Sequence, residues 1–372
     1  MRSLRIAFNG QRLAGQRFGV GRYIEYLLRH WASFLSTDDE VSLFLRQPVG
    51  SDISGLSPRI KPTLLASKQS GLVWENLRLR EAAAKHDVLF CPAYTAPLGF
   101  RGGLVVANHS VNELQDGAHS WLYKQTYARL HRHSARTADA VIVPGATVRK
   151  AVTEHYGVPN NRIFEVHQGA DDVFHPIHDQ ALLDSVRTRF FGRPRPYLLF
   201  VGKCSARRNI PLLIRAFADL RKERDIPHGL LLFGPEKDGL DVRALAAELG
   251  VSDDVVQTDG VIASHAELPP IYAAADIFVQ PSVNEGWSMT TVEALACGVP
   301  VIAADRGGLA DIARGHALMI EPDVGVLKAA IDTVLHDSAI RSELQRKARE
   351  RGVALGWREA ARQTLDIVRS VG

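Results

Sequence analysis

Cysteine is scarce in this 372-residue chain, and its absence from most positions narrows the field first. The three cysteines, Cys91, Cys204 and Cys297, stand far apart with no Cys-x-x-Cys spacing. That excludes a disulfide scaffold and a cysteine-ligated metal centre, and leaves small buried side chains of a reducing compartment. No His, Cys, Asp or Glu cluster has metal-ligand spacing, so no metal is expected. Long apolar runs are missing too: none approaches the roughly 18 residues that span a bilayer. The stretch Ile6 to Phe8 is too short for a signal-peptide core, so the expected location is cytoplasmic. Neither sign of charge dominates, with 45 Lys and Arg against 41 Asp and Glu. At 46% hydrophobic and 23% charged residues, the chain is neither disordered nor fibrous. Its length predicts two domains.

The net charge hides an asymmetry. Residues 1–178 hold 21 Lys and Arg against 15 Asp and Glu, and the remainder holds 24 against 26. A basic first half fits either an anionic partner or an ordinary solvated surface. The helix Trp121–Thr137 carries aromatic and basic residues together. It reads as a core stripe with a basic outer face, or as a peripheral contact with an anionic membrane at its inner face.

Short apolar runs alternate with amphipathic stretches along the chain. Strands are predicted at Leu4–Phe8, Val41–Leu45, Val88–Phe90, Leu104–Ala107, Ala140–Val143 and Ile163–Val166. The runs are continuous rather than alternating, as burial on both faces of a parallel sheet demands. The pattern pauses over polar Asp172–His178, and the turn-rich Phe191–Pro196 follows. It then restarts at Tyr197–Val201, Leu230–Phe233, Ile277–Gln280 and Val299–Ala303. Two βα series predict an α/β protein of two doubly wound, Rossmann-like domains with a cleft between them. The domains are placed at 1–178 and 179–356, with the closing helix 357–372 assigned to the first.

The most informative segment runs from Pro281 to Ala303 and contains Glu285-Gly-Trp-Ser-Met-Thr-Thr-Val-Glu293 and Cys297-Gly-Val-Pro300. It follows a strand, loops at Gly286 and turns helical near Met289. Backbone N–H groups at such a helix start form an anion site, and hydroxyls of Thr290 and Thr291 add donors. Glu285 falls in the loop and Glu293 two turns along the helix. A carboxylate there suits a pair of sugar hydroxyls. The bland reading, solvated helix charges, needs the surrounding motif to displace it.

This segment resembles the signature of the family 4 retaining glycosyltransferases, which have the GT-B fold of two Rossmann-like domains. Further pieces resemble the same family in the same order. They are Arg5-Ile-Ala-Phe-Asn-Gly with Gly19-Val-Gly21-Arg-Tyr, Ala107-Asn-His109-Ser, and Gln168-Gly-Ala-Asp-Asp-Val-Phe-His-Pro176. Leu199-Phe-Val-Gly202-Lys203 with Arg207-Arg208-Asn209, Asp259-Gly260-Val261 and Ala275-Asp276 complete the series. The resemblance covers nearly the whole chain.

It implies a retaining, metal-independent transfer of a hexose from a nucleoside diphosphate sugar, a GDP- or UDP-sugar, with no cofactor. The first domain would bind the acceptor, a saccharide or lipid-linked saccharide of a cell-surface polysaccharide or glycoconjugate, and the second the donor. Mannose is the first sugar expected, because Gly19-Val-Gly-Arg-Tyr resembles the start of bacterial surface-polysaccharide mannosyltransferases; glucose is the second. The implied catalytic residues are His109, Glu285, Lys203 and Arg208. Donor binding falls to Gly19 and Gly21 beside the diphosphate, to Gly202, and to Gly260 and Val261 near the base. Gly286, Trp287, Ser288, Met289 and Thr290 would meet the phosphates, and Glu293 the ribose. Lys203 and Arg208 stand where the family usually has Arg and Lys, and the two cations are not interchangeable in hydrogen-bond geometry. Ser288 stands where Gly is usual, placing a side chain where backbone should approach phosphate.

Other readings stay open. Gly19-Val-Gly21 half-matches a dinucleotide fingerprint, but position 24 is Ile and ten residues separate Phe8 from Gly19, which disfavours a dehydrogenase. A sugar-nucleotide sensor without turnover, a phosphorylase and an epimerase would share the fold. No motif points to nucleic acid. Acceptor choice is expected in loops 11–18, 66–73 and 91–101.

Overall fold

The computed structural model describes residues 4–15, 19–49, 56–111, 121–262 and 265–372, with backbone only for 121–125. The acceptor-loop expectation at 16–18, and the side chains of Trp121, Tyr123 and Lys124, lie outside the described residues. The chain divides into two compact units, residues 1–168 with 357–372, and residues 169–356.

Unit 1 is a seven-stranded sheet in the order β3-β2-β1-β4-β5-β6-β7. The strands are β1 (Arg5–Asn9), β2 (Glu40–Leu45), β3 (Ile60–Leu64), β4 (Val88–Cys91), β5 (Gly103–Ala107), β6 (Ala140–Val143) and β7 (Ile163–Glu165). Every pairing is parallel. The central strands β4 and β6 are buried at every residue, the state their unbroken apolar runs call for. The helix Val20–Trp31 sets Tyr23, Leu27, Leu28 and Trp31 against the sheet, with Trp31 edge-on to Phe8 at 5.4 Å.

Unit 2 repeats the plan with six parallel strands, β8 (Tyr197–Val201), β9 (Gly229–Phe233), β10 (Val255–Thr258), β11 (Ile277–Gln280), β12 (Val301–Ala304) and β13 (Leu318–Ile320). Their order is β10-β9-β8-β11-β12-β13. In both sheets the order runs 3-2-1-4-5-6, the doubly wound arrangement, so each has a switch point at the carboxyl ends of its first and fourth strands. Apolar clusters cover both faces of the second sheet, one around Tyr272, Phe278 and Val292, the other around Phe217, Ile214 and Leu327.

The boundary between units falls after Gln168, earlier than the expected 178. The cause is local: Ala170 bridges to Gly356, and Phe174 packs edge-on against Tyr272 at 5.8 Å, so residues 169–178 wrap onto the second core. The closing helix Trp357–Val371 packs on unit 1. Trp31 Nε1 donates to the Ala361 carbonyl at 2.9 Å, Trp357 lies 5.0 Å from Tyr26, and Arg369 meets Asp39 at 2.7 Å.

Candidate active site

The carboxyl edge of the second sheet brings most of the expected residues together, in loops that leave neighbouring strands. Gly202 and Lys203 follow β8, Gly234 follows β9, Gly260 and Val261 follow β10, and the 281–288 loop follows β11. Backbones crowd here to a degree only glycine allows. A Cβ on Gly234 would stand 2.0 Å from the Gly202 carbonyl oxygen, and one on Gly202 would stand 2.2 Å from Arg208 Nη1. The Arg208 guanidinium therefore rests on the Gly202 backbone.

Four cations gather at this edge. The Lys203 ammonium is held below its ordinary value by partial desolvation, then by Lys237, Arg208 and Arg207 in turn. Lys237 is fixed by its own backbone, which donates to the Cys204 carbonyl at 2.8 Å. Arg207 and Lys237 carry no role in the motif reading. Arg207 stood beside Arg208 in a quoted motif, whereas Lys237, on another loop, had no sequence signal.

Glu285 points into this cluster, and Asp238 acts on Lys203 from beside Lys237. Glu285 is only 6% exposed, and its Oε1 lies 3.7 Å from Arg207 Nη1 and 3.6 Å from Arg208 Nε. Those distances are ion pairs without hydrogen bonds. Glu285 Oε1 and Arg208 Nε are both buried without a hydrogen-bond partner. Leaving such groups unpaired costs about 1–3 kcal/mol each, and a ligand offering hydroxyls to the carboxylate and oxygens to the guanidinium would relieve both. The loop is braced from behind. Gly308 N–H donates to the Glu285 carbonyl at 2.8 Å, and a Cβ on Gly308 would lie 2.1 Å from the Gly286 oxygen. Arg207 Nη1 donates to the Asn284 carbonyl at 2.9 Å.

Ser288 turns out to be a cap. Its Oγ accepts from Thr291 N–H at 3.3 Å and from Gln280 Nε2 at 3.0 Å, and the residue is 5% exposed. Its hydroxyl is spent inside, starting the helix Met289–Ala296. Met289 and Thr290 remain half-exposed in the first turn, and Trp287 is buried beside them. Glu293 is 1% exposed, and its Oε2 accepts from the Tyr272 hydroxyl at 2.7 Å. The carboxylate that the resemblance assigns to the ribose is thus already bonded inside the unit. Tyr272 lies on another helix, so the sequence did not show it. Val261 is 56% exposed.

His109, Gly19 and Gly21 belong to unit 1. His109 follows β5; its Nε2 donates to the Pro92 carbonyl at 2.8 Å, and its Nδ1 accepts from Gln168 Nε2 at 2.8 Å. Tyr23 and Tyr94 stand edge-on to the ring at 4.6 and 5.4 Å. Burial pulls its pKa down to about 4, which keeps the ring neutral with the proton on Nε2. Both nitrogens are engaged, so the histidine expected to reach the donor sugar must exchange a partner to do so. Gly19, with φ +46°, precedes the helix Val20–Trp31, and Gly21 is buried within its first turn.

Residues 19–174 match the family described as Glycosyltransferase Family 4, and residues 188–351 match Glycosyl transferases group 1. The chain is 31% identical over 250 residues to the D-inositol 3-phosphate glycosyltransferase of Salinispora arenicola, covering 62% of this chain and 54% of that protein. The alignment to the first such relatives thus spans little more than half their length. A relative of the same name from Streptomyces bingchenggensis is 28% identical over 406 residues, covering 95% of this chain and 85% of that one. Among solved structures, Anabaena HepE in complex with UDP and glucose superposes with a TM-score of 0.79 at 18% identity, covering 99% of this chain and all of that one.

Proposed function

We propose that this chain, which belongs to the family 4 glycosyltransferases with the GT-B fold, transfers a hexose with retention and without a metal. The donor is a nucleoside diphosphate sugar, and the acceptor a saccharide or lipid-linked saccharide. The observation that carries the reading is the cation cluster of Lys203, Arg207, Arg208 and Lys237 closing on one half-unpartnered carboxylate, Glu285.

Breaking the bond between sugar and diphosphate leaves growing charge on the leaving oxygen. Cations and N–H donors already fixed in place stabilise that charge, one good donor contributing about 3 kcal/mol. Arg208 and Lys203 supply the charge, the N–H groups at the Met289 helix start supply directed donors, and Glu285 takes hydroxyls of the sugar. Glu293, steadied by Tyr272, takes the ribose.

Mannose is the first sugar to test and glucose the second; the glucose bound by HepE supports the latter. The relatives' name, D-inositol 3-phosphate glycosyltransferase, supports a polyhydroxylated acceptor.

The test is nucleoside diphosphate release from UDP-, GDP-, ADP- and dTDP-sugars with purified protein, with and without a chelator. One donor should be hydrolysed slowly at a rate the chelator leaves unchanged. Absence of binding to every donor would overturn the reading, and binding without turnover in the presence of any saccharide acceptor would make the chain a sensor. Glu285→Gln should cut turnover roughly a hundredfold or more while leaving diphosphate affinity within a few-fold. Equal losses in both would remove Glu285 from the sugar site.

A further inference from the structure

The first sheet has a switch point of its own, at the carboxyl ends of β1 and β4, and doubly wound sheets take ligands in that crevice. Glu75 stands there. It opens the π-turn Glu75–Leu79 of the helix Gly71–Ala83, a distortion rare in helices at large and frequent at functional sites. It lies in none of the family motifs. Its Oε2 accepts from Asn9 Nδ2, at the end of β1, and from Thr95 Oγ1, after β4, at 3.0 Å each. Its Oε1 is buried with no hydrogen-bond partner among the described residues.

The surroundings hold that oxygen in place. Asn9 Oδ1 accepts from Gln11 N–H at 3.2 Å, which orients the amide with its NH2 toward Glu75. On the helix, Trp74 Nε1 donates to the Leu65 carbonyl at 2.7 Å and Asn76 Oδ1 accepts from Leu98 N–H at 2.8 Å. The residues on either side of Glu75 are therefore tied. Thr95 is delivered by a γ-turn: its N–H donates to the Ala93 carbonyl at 2.8 Å across Tyr94, whose φ is +67°. That is the rare, strained form of the turn, and such strain persists only where the structure around it over-determines it. Thr95 is half-exposed, so the carboxylate lies one side chain beneath the surface, and exposed Arg12 attracts it from the loop after β1. A bare carboxylate oxygen takes a hydrogen-bond donor and repels an anion, while an ammonium group would meet Arg12 as a like charge. Burial pushes the Glu75 pKa up to about 7, so near neutral pH both its forms occur. A hydroxyl can donate to the charged form and accept from the protonated one.

We propose that Glu75 is a specificity-determining residue of unit 1 that binds a hydroxyl of the acceptor saccharide or polyol, with Asn9 and Thr95 holding it for that contact. That the ligand is the acceptor rests on the transferase reading. That it is polyhydroxylated rests on the chemistry around Glu75.

The experiment is amide hydrogen exchange of the full wild-type chain with myo-inositol, methyl α-mannoside, methyl α-glucoside or inorganic phosphate. Calorimetric titration of the same probes, and of UDP and GDP, follows for the wild type, Glu75→Gln and Thr95→Val. At least one hydroxylated probe should slow exchange in segments 9–13, 71–79 and 92–96. Glu75→Gln should weaken that probe roughly tenfold or more, as loss of a charged hydrogen-bond acceptor does, and Thr95→Val roughly threefold. Both variants should keep the wild-type diphosphate affinity, because the cation cluster belongs to unit 2. A wild type that binds UDP or GDP but none of the hydroxylated probes overturns this proposal alone, whereas one that binds no diphosphate overturns the transferase reading. The proposal also falls if Glu75→Gln binds the probe as tightly as the wild type, or if slowed exchange avoids all three segments; water alone then meets the Glu75 oxygen. Phosphate protecting the same segments as strongly as the hydroxylated probe would overturn it in favour of an anion held by Arg12. The exchange measurement uses the wild type, so it decides the matter even where a variant fails to fold.

Discussion

At the scale of single residues, each unit buries a carboxylate with one unpartnered oxygen, Glu75 in unit 1 and Glu285 in unit 2. In unit 2 the unpaired atoms of Glu285 and Arg208 sit at the switch point, where a ligand could complete them. Gly202 is the residue that lets Arg208 lie there, with φ +137° and no room for a Cβ. Gly202→Ala should therefore displace the guanidinium and weaken nucleoside diphosphate binding roughly tenfold, read by calorimetry; an unchanged affinity would show that Arg208 does not act from this position. In unit 1 the matching place holds Glu75, 2% exposed, whose Oε2 accepts from Asn9 Nδ2 and Thr95 Oγ1 at 3.0 Å each. Burial pushes its pKa from 4.5 up to about 7, more than its two donors and Arg12 bring it back. A folded carboxyl that holds its proton more tightly than the unfolded one stabilises the fold below the unfolded value. That stability drains as pH rises from about 4.5 through about 7, in total about 3 kcal/mol. Urea unfolding of the wild type should show this fall, and Glu75→Gln should remove it. Parallel curves for the two proteins would mean Glu75 is not the titrating group. The residue-level motif was legible in the sequence because loops after strands carry their ligand groups locally. The partners of Glu293 and His109 were not, since Tyr272, Pro92 and Gln168 arrive from elsewhere in the fold.

At the scale of elements, the helix Trp357–Val371 shows how a segment far along the chain completes a core begun at its start. Trp357 is 1% exposed between Tyr23 and Tyr26, and the Arg369–Asp39 pair holds the helix's other end. Trp357→Ala should cost about 4 kcal/mol, the range of a large aromatic removed from a core. The loss should appear in the unfolding transition of unit 1 and leave that of unit 2 in place, measured by scanning calorimetry. The helices were largely readable from periodicity; Trp121–Thr137 has the predicted ends. Ten strands were readable as apolar runs, and three were not: β3, β10 and β13. Those lie at sheet edges or are short. β3 carries Lys61, Pro62 and Thr63, all exposed, and β10 is only half-buried throughout. An edge strand is paired and covered on fewer sides, so its residues need not be apolar, and Pro is tolerated where one N–H faces away from the sheet.

At the scale of the whole molecule, two separate cores predict two unfolding transitions, and the proposed donor site belongs to unit 2. A nucleoside diphosphate at a hundred times its dissociation constant should stabilise unit 2 by about 2.7 kcal/mol. The scan should show the transition of unit 2 moving upward first; a shift confined to unit 1 would misplace the donor site. What the sequence determined by itself was the alternation of buried strands with helices, the two βα series and the order of motif loops. These follow from local burial and backbone chemistry, which each short segment carries in its own residues. Only the tertiary structure decided where the first unit ends. It alone brought Lys237 to Lys203 and gave Glu293 and His109 internal partners. Each of these is a contact between segments distant in the chain, fixed by strand order and packing, and no local pattern of residues encodes it.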